Sequence, residues 1–185
     1  MDQGYFLAAE LFYSMPFTPY HFGPALLFGI ILFRYIDFTT FVVANLIIDW
    51  RAALVLFNLW MGPRHGWVHT FIGASIMSVI LFVVMNYMRK EYREQHTQMS
   101  LGQVPTKIKI LLAAFAGTFL HVAIDSFHHP RMEPFMPFSL NPLLGIAGTQ
   151  EVRQLTTVCG ILGLFALILF PRLGNVSWEV ENREN

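Results

Sequence analysis

His121, Asp125 and His129 stand four residues apart at the end of an apolar run that begins near Ile108. On an α-helix, positions i, i+4 and i+8 share one stripe, so two imidazoles and a carboxylate would project the same way. These are metal-ligand types, and ionisable groups at the end of a membrane-length apolar segment tend to mark function. His128 sits one position off the stripe. His65 and His69 repeat the one-turn spacing just after the turn signals Gly62, Pro63 and Gly66. Two imidazoles so placed can reach one ion if the helix starts early enough.

Two further groups belong with these. His21 follows Thr18-Pro19, a helix entry in which Thr caps and Pro fills the first turn. Asp49 interrupts residues 38–60, and Arg51 is two positions away, where the two side chains do not face each other on a helix. Either the segment is one spanning helix with a buried acid, or a short helix ends near Asp49 and a second, half-inserted segment follows. Both readings aim Asp49 at a polar interior, because irregular backbone at membrane depth needs a protein-lined cavity.

The elements that must position these groups are apolar. Hydrophobic residues make up 55% and charged residues 13% of the 185, about half the charged share usual in a soluble domain. The expected fold is therefore all-α: a single polytopic membrane bundle over residues 1–185. About five membrane segments are expected, near 22–36, 38–60, 67–88, 108–127 and 152–172. The bilayer is thus the first partner. Twelve basic residues balance twelve acidic ones, which leaves no electrostatic footprint for nucleic acid. The single cysteine, Cys159, excludes an internal disulfide and a multi-cysteine zinc site. The opening MDQGYFLAAELFYS has no basic n-region or cleavage site, so no removable signal peptide is expected. Residues 89–105 form the one plainly hydrophilic loop, in which His96 reads as a solvated histidine. Residues 130–148 carry Pro130, Pro134, Pro137 and Pro142 among Phe and Met. They read as an irregular loop lying on the membrane or over a site.

Placing the 89–107 loop in the cytoplasm puts eight of the twelve basic residues inside, together with the C-terminal tail. Alternating spans then bring His21, His65, His69, His121, Asp125 and His129 to the opposite, extracytoplasmic face, where Asp49 can approach. Only His96, of the seven histidines, falls elsewhere. A shared metal site is the simplest physical reason for that segregation. Imidazole and carboxylate without thiolate suit a divalent ion, Zn²⁺ first, with Mn²⁺ or Fe²⁺ as alternatives. The number of groups also allows two ions.

The stretches TPYHFG, LIIDW, HGWVHT and HVAIDSFHHP with PFMPFS, in that order over residues 16–140, resemble motifs of the bacterial inner-membrane metal-dependent hydrolases. These are the LexA-regulated group of otherwise undefined function. That family shows a Thr-His near the first helix, a Pro-Asp-x-Asp element, a His-Arg-Gly-x-Thr-His-Ser element and a His-x-x-x-Asp helix before a Pro-Phe loop. The resemblance implies an inner-membrane location and metal ligation by His21, His65, His69, His121 and Asp125, with Asp49 in the site. The chain departs from the pattern at three points. It keeps one aspartate, Asp49, where two are usual. Arg64 precedes His65 instead of following it. His128 and His129 stand where a small polar residue is usual, and His129 could compensate for the missing aspartate.

The expected activity is hydrolysis of a lipid-like or phosphoester substrate by metal-activated water. Asp49 would be a ligand or general base, His129 a ligand or proton shuttle, and Arg131 and Arg64 holders of an anionic oxygen. A transporter or sensor would use the same ligands without hydrolysis. It would need a path to the other face, and the segment Phe71–Met85 carries no charged residue. Haem ligation is disfavoured because the histidines lie at helix ends beside carboxylates. No Gly-x-Ser-x-Gly element is present for serine catalysis.

Overall fold

A computed structural model of the chain describes residues 19–50, 54 and 66–181. It is all-helical over those residues, with six α-helices and no strand. They are α1 (Pro19–Ile31), α2 (Phe38–Ile47), α3 (Phe71–Glu91), α4 (Arg93–Met99), α5 (Lys107–Ser126) and α6 (Thr149–Glu181). A 3-10 turn, Trp67–His69, precedes α3. Residues 127–148 run through turns without a helix.

Three helical stretches are long and apolar enough to cross a membrane: Phe71–Glu91, Lys107–Ser126 and Thr149–Leu169. They mark a membrane protein. The other two apolar helices are short, with 13 residues in α1 and 10 in α2. At 1.5 Å per residue they rise roughly 20 and 15 Å, well under a hydrocarbon core of about 30 Å. The apolar segment expected over 38–60 thus ends its helix at Ile47, two residues before Asp49. This is the short-helix alternative; the continuation over 51–53 and 55–65 lies outside the described residues.

The centre of the bundle is α5, which packs against α2 on one side and α3 on the other. Between α3 and α5 the hydroxyls of Ser78 and Thr118, both buried, lie 2.7 Å apart. Such pairs hold membrane helices together where lipid removes the hydrophobic drive. Between α2 and α5 the contact is closer still. A Cβ on Gly117 would come within 2.5 Å of Ala44 Cβ and 2.7 Å of the Phe41 carbonyl, so only glycine admits this approach. Ala44, Leu81, Met85, Ile110 and Ala114 fill the core beside it. A second pair, α1 and α6, packs at Gly23, where an added Cβ would strike the Thr156 carbonyl. Outward positions on α3 and α6, among them Ile76, Val83, Ile161 and Phe165, are apolar and exposed, as lipid-facing surfaces are.

At the start of α2 the chain departs from the reading of 89–105 as a solvated loop. Residues 93–99 are helical, and His96 is buried with 4% of its surface exposed. Its Nε2 lies 3.5 Å from Asp37 Oδ2. Asp37 caps α2, accepting from the Thr40 backbone N–H and hydroxyl, and its other oxygen lies 2.8 Å from the Ser100 hydroxyl. The Gln103 amide donates to the Phe33 and Ile36 carbonyls and accepts from Phe38 N–H. A polar segment is therefore folded back onto the bundle because unsatisfied backbone groups at the entry of α2 need partners.

Candidate metal centre

The far end of α2 holds the other polar cluster. His121 stands one turn after Gly117 on α5, so the close helix approach carries its ring against the last turn of α2. Its Nδ1 lies 2.6 Å from the Asn45 carbonyl. A carbonyl only accepts, so Nδ1 carries a proton and Nε2 is the nitrogen turned toward the rest of the cluster. That arrangement, an imidazole oriented by a backbone carbonyl through its other nitrogen, is the usual support of a metal ligand.

His121 Nε2 is buried with no hydrogen-bond partner, yet it lies 3.4 Å from both Asp49 Oδ1 and Asp125 Oδ2. His69, fully buried in the 3-10 turn, brings its Nε2 to 3.3 Å from Asp49 Oδ1 and 4.0 Å from Asp125 Oδ2. The four residues each offer one donor atom, and all four atoms lie within 4.8 Å of one another. Donors held about 2.0–2.2 Å from a tetrahedral ion are separated by roughly 3.3–3.6 Å. Separations of 3.3, 3.4 and 3.4 Å fall in that range, and the His69–Asp125 pair at 4.0 Å is wider.

Charge supports the same fit. Asp49 and Asp125 are buried, 4% and 3% exposed. Two buried carboxylates facing the same Nε2 repel unless a proton or a cation stands between them. The His21 ring stacks on His121 at 3.8 Å, a contact that disfavours charge on both imidazoles. Two carboxylates with neutral imidazoles carry a formal charge of about −2, the complement of a divalent ion. The residues present could therefore hold one metal ion.

His21 enters this cluster by a different route from the others. Its Nε2 lies 2.9 Å from Asp125 Oδ1, a distance at which the imidazole N–H donates to the carboxylate. It therefore orients Asp125 and does not complete the four-donor group. The local basis of the site is clear for each residue. Asp49 hangs just past the end of α2, and His69 is set by Thr70, whose hydroxyl caps α3 by accepting from Gly73 N–H at 2.9 Å. Beneath them Ile48, Ala74, Val122 and Met132 form an apolar floor.

The side away from α2 is more open. After α5 the chain turns so that the backbone N–H groups of His128 and His129 donate to the Asp125 carbonyl at 3.3 and 3.1 Å. His129 Nε2 lies 3.8 Å from Asp125 Oδ1, and its side chain is 22% exposed. His128 Nδ1 donates to the Ile124 carbonyl at 3.2 Å. Partial burial pushes the His128 imidazole below its ordinary pKa. The 130–148 segment is tied back over this end. Asn141 donates to the Ser126 carbonyl, Gly145 N–H to Phe127, and Phe71 N–H to the Pro134 carbonyl.

Of the residues expected from the sequence, the fold brings His21, Asp49, His69, His121, Asp125 and His129 together. Arg131 is exposed, and among the described residues no hydrogen bond or ion pair joins it to the cluster. His65, Arg64 and Arg51 lie outside the described residues. His69 sits in the 3-10 turn Trp67–His69, which ends before α3. The backbone carbonyl of Asn45 was not foreseeable as a partner, because no side-chain pattern announces it.

Comparison of the chain with family models, with curated proteins and with solved structures returns no match.

Proposed function

We propose that this chain is a membrane-embedded, metal-dependent hydrolase acting on a lipid-like or phosphoester substrate. The observation that carries the reading is the convergence of His69 Nε2, His121 Nε2, Asp49 Oδ1 and Asp125 Oδ2 at separations suited to one tetrahedral ion. Zn²⁺ is the best match to two nitrogens and two oxygens without sulfur, with Mn²⁺ or Fe²⁺ next. The resemblance of four motifs to those of the inner-membrane metal-dependent hydrolases supports metal binding, and the absence of charged residues from Phe71 to Met85 disfavours a transport path. A bound divalent ion from which Asp49 has withdrawn would supply Lewis acidity, lowering the pKa of water toward about 7 and polarising a phosphoryl or acyl oxygen.

The chain's own residues would do the rest. His21 holds Asp125 in orientation, and the Asn45 carbonyl holds the His121 tautomer. The apolar floor under the site excludes bulk water. Asp49, at the end of a short helix, is placed to accept a proton if it leaves the ion during turnover. Arg131, a few residues beyond His129, would attract an anionic substrate oxygen. The 130–148 segment, with Phe138 and Ile146 exposed, would contact acyl chains at the membrane surface. In this reading five apolar segments form the bundle in the bacterial inner membrane. The 89–107 segment and the C-terminal tail are cytoplasmic, and the site faces the opposite side.

The test is turnover by detergent-purified, Zn²⁺-loaded protein of bis-p-nitrophenyl phosphate and of anionic phospholipid vesicles. Activity that is lost with chelation and in His121→Ala supports the reading. Zn²⁺-replete protein that binds its ion and turns over neither sinks it, and leaves a metal-binding protein without hydrolysis.

A further inference from the structure

Asp125 has two oxygens, and they face different groups. Oδ2 faces His121 and His69 at 3.4 and 4.0 Å, inside the buried four-donor set. Oδ1 faces His129 at 3.8 Å and accepts from His21 at 2.9 Å, on the half-open side. Asp125, His128 and His129 form a second set whose donor atoms lie within 4.8 Å of one another. The two imidazoles stand with ring centroids 4.1 Å apart. With Nδ1 of His128 committed to the Ile124 carbonyl, its Nε2 is the donor left for an ion. The turn that curls both histidines back toward Asp125 is held by their own backbone N–H groups.

We propose that Asp125 bridges two divalent cations, the second held by His128 and His129 at the open side of the pocket, where an anionic phosphoester meets it. The proposal rests on the reading of the first set as a metal site and deepens it. The two sets differ in what they leave vacant. Four protein donors complete a tetrahedral sphere, as in closed sites, whereas three leave a position for water or substrate. Burial follows the same division: the first set is buried throughout, and the second is half-buried at both histidines. Charge then selects the substrate. Two divalent ions against two carboxylates leave a formal charge of about +2, which a phosphate group neutralises and an uncharged ester does not. The second ion, with one carboxylate that it shares, binds more weakly than the first.

The experiment is Mn²⁺ titration of the detergent-purified full chain, with free and bound ion followed by electron paramagnetic resonance. Wild type is expected to take up a tight and a weaker equivalent, the pair showing an exchange-coupled signal. His128→Gln/His129→Gln should keep the tight equivalent and lose both the weaker one and the coupling. His69→Ala/His121→Ala should lose the tight one. A single equivalent that survives the first double substitution and disappears in the second overturns the bridge while leaving the first site standing. Two equivalents without coupling, or two that persist in His128→Gln/His129→Gln, also overturn it. No bound Mn²⁺ in wild type removes both sites together. The coupled signal is read on wild type, so a variant that fails to fold does not remove the test.

Discussion

The two ends of α2 each bury an aspartate beside a histidine, and they are built for different purposes. At the entry, Asp37 receives the Thr40 N–H, the Thr40 hydroxyl and the Ser100 hydroxyl. Its carboxylate is saturated by neutral donors, and His96 stands farther off at 3.5 Å. At the exit, Asp49 and Asp125 face imidazole nitrogens, and the His121 ring is turned so that its Nε2 points at both carboxylates. A carboxylate surrounded by hydroxyl and amide donors is a helix cap. Two buried carboxylates converging with imidazole nitrogens form a group that could hold a cation. The same two residue types thus cap a helix at one end and form a candidate metal site at the other, according to which groups surround them.

Four substitutions probe that contrast. The largest effect is expected from Asp125→Asn, which removes charge from both donor sets. Bound metal, measured by elemental analysis after dialysis against Zn²⁺, should be lost, with affinity down by at least about the 10–100-fold that loss of an outer partner costs. Gly117→Val comes next. Its side chain overlaps Ala44 and the Phe41 carbonyl, separating α2 from α5 and breaking the His121–Asn45 contact. Stability should fall by about 1–3 kcal/mol, and metal affinity should fall with it. Thermal unfolding in detergent with and without chelator separates the two losses.

Asp37→Ala should lower stability by about 1–2 kcal/mol through loss of the cap, and leave metal content unchanged. If Asp37→Ala also empties the metal site, the two ends of α2 are coupled and the contrast drawn above is wrong. The smallest effect belongs to Ser78→Ala, on the α3–α5 hydroxyl pair, at about 0.6 kcal/mol. A chemical-denaturation midpoint compared with Thr118→Ala and the double variant measures that pair alone.

The site was legible in the sequence where its signal was local. The spacing of His121, Asp125 and His129 within one helix places three groups on one stripe whatever the rest of the chain does, and their carboxylate and imidazole nitrogens do meet. An acid in an apolar run likewise marked Asp49. What could not be read was tertiary. His96 sits in a polar stretch, and its burial follows from the need of the α2 entry for hydrogen-bond partners. The role of Gly117 depends on the helix that lies across it, and a lone glycine in an apolar run does not announce its neighbour. His21 reads from sequence as one more ligand, and its contact with Asp125 at 2.9 Å, which also lets it orient that carboxylate, is tertiary. Helix lengths were harder again: residues 38–60 are apolar enough to span, yet α2 ends at Ile47, two residues before Asp49.

X-ray absorption at the zinc edge, on the detergent-purified chain loaded with Zn²⁺, asks the central question directly. Convergence of His69, His121, Asp49 and Asp125 on one ion predicts a shell of nitrogen and oxygen at about 2.0–2.2 Å, with imidazole scattering that weakens in His121→Ala. A chain that retains no zinc, or a zinc shell unchanged in His121→Ala, would contradict it.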